Sequence, residues 1–136
     1  MKIKISILCT LLLILSLVAC QTQKLKFGIN LEKYEDIEYI YLTNPRVGKR
    51  YLDDELKDKI YKLIEKLNED DFEKVEFETL KGEGPKIKFK DFTFEILDKK
   101  IRFFINIEDM KQYNPKKEIK ELNELYTLLE NELGLD

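Results

Sequence analysis

The chain has no histidine and no tryptophan. Its serines, Ser6 and Ser16, and its cysteines, Cys9 and Cys20, all lie within the first 20 residues. Beyond residue 20 there is neither a serine or cysteine nucleophile nor an imidazole to activate one, which excludes triad-type catalysis. The thiolate and imidazole ligands of zinc and copper sites are missing too, and no cysteine pair remains for a disulfide. Chemistry is left to Asp, Glu, Lys, Tyr, Thr, Arg and amides. No catalytic residue, no metal and no cofactor is expected.

Arginine is scarce as well, with Arg46, Arg50 and Arg102 the full set. The 24 Lys and Arg stand against 27 Asp and Glu, a net charge of −3. Loss of Lys2 and Lys4 with a leader would make the remainder more acidic. The charges are finely mixed along the chain, and phosphate neutralisation needs clustered cations, so nucleic acid is not an expected partner.

What is present begins with a leader. Lys2 and Lys4 form a positive head, and Ile5 to Val18 is apolar except for Ser6, Thr10 and Ser16. A cationic head, a short apolar core and a small-residue end describe a secretory signal peptide. The apolar core falls short of the roughly 20 residues that span a bilayer. It ends in Leu17-Val18-Ala19-Cys20. This quartet resembles the lipobox of bacterial lipoproteins at all four positions. The resemblance covers residues 1–20. It implies a diacylglyceryl Cys20, cleavage between Ala19 and Cys20, and a further fatty-acyl group such as palmitate on the new amino terminus. Two or more acyl chains anchor stably, at about 0.8 kcal/mol per buried methylene. The chain is therefore expected to carry a signal peptide at 1–19, a lipidated tether or extended arm at 20–36, and a single domain at 37–136. That domain would sit outside the cytoplasm, held by lipid to the cell or outer membrane.

The rest of the chain alternates strand and helix signals. Leu25, Phe27, Ile29 and Leu31 recur at period two, which predicts a strand or an extended arm. Ile37 to Thr43 reads as a strand, followed by a turn over Asn44 to Gly48 and a short returning strand from Lys49 to Leu52. Leu56, Ile60, Leu63, Ile64 and Leu67 make the apolar stripe of a helix from Asp53 to Asn68, with Asp53 as N-cap. Phe72, Val75, Phe77 and Thr79 outline the next strand. Ile87 and Phe89 alternate in one phase and Phe92, Phe94 and Ile96 in the other, so a bulge or tight hairpin is expected at Lys90-Asp91. Asp98-Lys99 is a second turn, and Ile101 to Ile107 a strand with Arg102, Phe104 and Asn106 on its other face. Asn114-Pro115 is expected to open the last helix, with its stripe at Ile119, Leu122, Tyr126, Leu129 and Leu133 and its end at Gly134. The expected fold class is α+β: an antiparallel sheet of about four to six strands, with two amphipathic helices on one face, preceded by a signal-peptide helix. In layout the domain resembles the small secreted α+β domains of unknown function found in bacterial lipoproteins.

Two regions are candidate binding residues. Arg46, Lys49 and Arg50 form a basic spot on an acidic domain, able to meet an anion or an acidic partner surface. Tyr39 and Tyr41 lie close by, and aromatics with polar tips suit interfaces. The acid clusters Asp53-Asp54-Glu55 and Glu69-Asp70-Asp71 lack the alternating spacing of a calcium loop. The expected function is a non-catalytic, lipid-anchored binding module for a protein or envelope component, in one version an immunity or inhibitor factor. A small carboxylate-based hydrolase and a structural envelope protein are the alternatives.

Overall fold

The computed structural model describes residues 7, 9–10, 25–30, 37–43, 48–79, 81–106 and 108–134. The lipobox quartet, most of the leader, Leu31, Arg46 and the turn at residues 44–47 lie outside them. Among the described residues no helix is long and apolar enough to cross a membrane. Contacts divide the chain into two units, residues 1–32 and 33–136.

In the first unit β1 (Leu25–Lys26) pairs antiparallel with β2 (Ile29–Asn30). The period-two pattern predicted one continuous strand or an arm; the chain instead reverses at Phe27-Gly28, with φ of 56° and 70°. Left-handed values at both central residues define the two-residue turn that matches strand twist, and Gly28 takes one of them without steric cost.

The second unit is an α+β fold built on a seven-stranded antiparallel sheet. Its strands are β3 (Ile37–Tyr41), β4 (Lys49–Tyr51), β5 (Phe72–Val75), β6 (Lys86–Phe89), β7 (Thr93–Leu97), β8 (Lys100–Phe104) and β9 (Met110–Pro115), in spatial order β4-β3-β6-β7-β8-β9-β5. The helices α1 (Asp54–Glu65) and α2 (Lys120–Leu133) contact each other, and α2 also contacts β3.

The phase slips in the sequence are hairpin arithmetic. Ile87 pairs with Phe94 and Phe94 with Phe103, while Ile96 pairs with Ile101. A two-residue turn joins odd positions on one strand to even positions on the next. The Phe89 N–H donates to the Phe92 carbonyl at 2.9 Å, so Lys90-Asp91 is a tight hairpin rather than a bulge. Asp98 and Lys99 have φ of 50° and 61°, the same left-handed turn as at Phe27-Gly28 but without a glycine. The apolar face these pairs share is buried and aromatic, with Phe94 and Phe103 rings 5.2 Å apart edge to face. Ile60 and Ile64 on α1 and Leu122, Leu125, Leu129 and Leu133 on α2 are buried too, and Leu122 lines a cavity together with Ile96 of this face.

Asp53 caps α1, its carboxylate accepting from the Leu56 N–H at 2.8 Å. At the far end of α2, Gly134 adopts φ 70°, the left-handed C-cap.

The sheet exceeds the expected four to six strands because Met110–Pro115 is a strand. Asn114-Pro115 does not open the last helix; α2 starts at Lys120, with Ile119 at the cap and no side-chain bond there. The chain tolerates Pro115 because the cross-strand bond beside it comes from Lys116, whose N–H donates to the Asp71 carbonyl at 2.9 Å. The expected strand through Phe77 and Thr79 also ends early, at Val75. Asn106 stops β8, accepting from the N–H groups of Glu108 and Asp109 at 2.9 and 2.7 Å.

Gly84 is buried, and a Cβ there would lie 1.8 Å from the Ile96 carbonyl oxygen, a backbone atom with no easy escape. Gly84→Ala is expected to cost at least about 2–3 kcal/mol, read as a lowered urea midpoint with an unchanged slope.

Candidate functional site

The sheet's outer face, away from the apolar pairs, carries two rows with different fates. One runs Lys49–Tyr41–Lys86–Glu95–Arg102–Gln112–Val75 across all seven strands. The other runs Tyr51–Tyr39–Lys88–Thr93–Phe104–Met110.

In the first row Glu95, Arg102 and Gln112 are buried, at 3 %, 6 % and 0 % exposure. A strap of chain, described at residues 76–79 and 81–85, lies over Arg102 and Gln112 through Phe77 and Glu78. Glu95 is held from both sides, by Lys86 Nζ at 3.1 Å and by Arg102 at 3.0 Å. Arg102 also donates to the Glu78 carbonyl at 2.8 Å, and its guanidinium lies 3.8 Å from the centre of the Phe77 ring. Gln112 accepts from the Glu78 N–H at 3.1 Å and donates to Asn114 at 3.0 Å. The strap's other end is tied by Glu83, which accepts from the Thr43 N–H and pairs with Lys86 at 3.2 Å. Phe77 and Thr79, read as the continuation of a strand, belong to this strap. Only Arg102 Nε remains without a partner among the buried side-chain atoms of the described residues.

Of the residues singled out in the sequence, Tyr39, Tyr41 and Lys49 come together. Tyr39 meets Tyr41 and Tyr51 edge to face, at 5.5 and 5.6 Å, and Lys49 Nζ lies 4.6 Å above the Tyr39 ring. Tyr51 is 72 % exposed and joins the cluster through its direct pairing with Tyr39. Arg50 does not join it. Alternation along β4 sends it to the other face, where it donates to the Glu132 carbonyl at 2.8 Å and pairs with the Glu132 carboxylate at 2.7 Å. A cation on the last carbonyls of α2 satisfies the helix end and its dipole. Arg50 is thus a fastening between β4 and α2. Cys20, Ala19 and Arg46 lie outside the described residues.

The acid clusters have structural employment. Asp53 caps α1, and Glu69–Asp71 form a 3₁₀ turn capped by Asn68, with Asp71 paired to Lys117 at 3.3 Å. Among the described residues no group of acidic, histidine or cysteine side chains is arranged to hold a metal ion. A cavity of about 250 Å³ lies between the Asp98-Lys99 turn and α2, lined by Ile96, Leu122, Asn123 and Tyr126 as well. A more open depression of about 750 Å³ runs along α2 past Glu118 and Glu124; Glu124 pairs with Lys120, and Glu118 accepts from Asn123.

The hydroxyl of Tyr126 titrates above its usual range, first because it hydrogen-bonds Glu130 and then because it is partly buried. Tyr113 is also raised, by burial and by the charge of Glu69.

The sequence matches no protein-family model, no curated protein and no solved structure.

Two outcomes test this arrangement. Arg102→Met should cost about 3 kcal/mol, because it leaves a buried carboxylate with Lys86 as its one remaining cation. Combined with Glu95→Leu, the loss should fall short of the sum by at least about 1 kcal/mol in urea denaturation. Folded Tyr113 and Tyr126 hold their protons more tightly than in the unfolded chain. Their contribution is therefore complete below the ordinary tyrosine value of 10.0 and is lost as pH rises through the folded values. Unfolding free energies at pH 8, 10 and 11 should show that fall, and Tyr126→Phe should flatten it.

Proposed function

We propose that the protein is a lipid-anchored, extracytoplasmic binding module without catalytic activity, and that its partner is a protein of the cell envelope or one arriving there. The supporting observation on the domain is the aromatic and lysine cluster of Tyr39, Tyr41, Tyr51 and Lys49 on the edge strand and its neighbour. Tyr51 is exposed and Tyr39 and Tyr41 are half-buried, and tyrosine is enriched at contact surfaces. The Leu17-Val18-Ala19-Cys20 quartet supports the anchor. An immunity or inhibitor factor, binding a toxin or an enzyme at the membrane, is the specific form of this function.

Intact-mass analysis of membrane-extracted protein tests the anchor. The native chain should begin at Cys20 and carry acyl mass. Cys20→Ala should lack that mass and leave the membrane fraction. An unmodified chain that is equally soluble in both forms would overturn it.

A further inference from the structure

The row Tyr51–Tyr39–Lys88–Thr93–Phe104–Met110 is left uncovered by the strap. None of its members is buried, and its two ends, Tyr51 and Met110, are 72 % and 40 % exposed. At the ordinary spacing of strands the row is about 24 Å long, room for about seven residues of extended chain. The strap borders the row at Phe104, with Phe77 5.5 Å from it, edge to face. The row is thus an accessible stripe with an aromatic border.

The chemistry of this stripe limits its occupant. Lys88 sits mid-row, and neither it nor Lys49 beside Tyr39 has an ion-pair partner among the described residues. The row itself holds no carboxylate, although the protein carries a net −3. A free cation between aromatic and thioether ends is complementary to a carboxylate flanked by apolar side chains. Tyr39 is inclined at 62° to Tyr41 and 63° to Tyr51, so the rings present no common plane on which sugars or bases could stack. A long polyanion would be opposed by the acidic domain as a whole. A narrow extended peptide meets none of these obstacles.

We infer that this row is a docking stripe for an extended segment of a protein partner, one carrying a carboxylate between apolar side chains. The assignment rests on the binding-module function proposed above and names the partner's chemistry.

Panning a random nonapeptide phage library on the purified native protein tests it. Peptides with Asp or Glu between apolar residues should be enriched. Their affinity should fall at least tenfold on Lys88→Glu and on Tyr51→Ala, and stay unchanged on Lys120→Ala, with thermal midpoints confirming that all three variants fold. Enriched peptides that bind Lys88→Glu as tightly as the native chain would overturn the docking stripe while leaving a binding module elsewhere on the surface. Failure to enrich any peptide would overturn the docking stripe and its peptide chemistry, whatever the anchor test shows. Lys88-dependent binding to phosphatidylglycerol vesicles without peptide enrichment would assign the row to a membrane instead, and overturn the proposal.

Discussion

Glu95 is 3 % exposed, and its two carboxylate oxygens are taken by Lys86 and Arg102 from the strands on either side. An ion this deep costs several kcal/mol to desolvate, and only close pairing offsets that. Three strands must therefore hold a single register, since a slip of one residue would turn Glu95 onto the aromatic face. The charge also explains the strap. Without Phe77 and the Glu78 backbone laid over it, Arg102 would face water and the pair would weaken to the value of a surface bridge. Packing on one side of the sheet and a paired charge on the other thus select the same alignment of β6, β7 and β8.

The inner face of this sheet was readable from its residues. Ile87 and Phe89 change phase to Phe92, Phe94 and Ile96, and the change is itself the signature of a two-residue turn. The α1 stripe and the Asp53 cap were readable for the same reason, since local spacing determines them; on α2 the buried residue between Leu122 and Leu129 is Leu125, whereas the expected Tyr126 is half-buried. What escaped was decided by distant partners. Met110–Pro115 offers no apolar alternation, and one of its two buried residues is Gln112, held by Glu78 more than 30 residues away. Asn114-Pro115 carries the composition of a helix start, and pairing with β5 overrides it. Glu95 and Arg102 look like the wet positions of a strand. Nothing nearby in sequence says that Phe77 and Glu78 will fold back over Arg102.

Site residues divided along the same line. Tyr39 and Tyr41 stand two apart on one strand, so their shared face follows from the pleat. Lys49 and Arg50 are adjacent, and the same pleat separates them: one cation lies over Tyr39 and the other reaches Glu132. Proximity in sequence made them look like one basic spot. Tyr51 became part of the cluster only through its register with Tyr39. Lys88 became part of a row only once the order of six strands was known.

The fastening of Arg50 to Glu132 spans 82 residues of chain. The edge strand β4 is fastened to the last turn of α2, so this contact cannot form until α2 is available. Contacts of such long sequence separation slow folding, because the loop entropy is spent before the contact forms. A nascent chain therefore completes this contact only after α2 has emerged, and export of the kind proposed above would come before that closure.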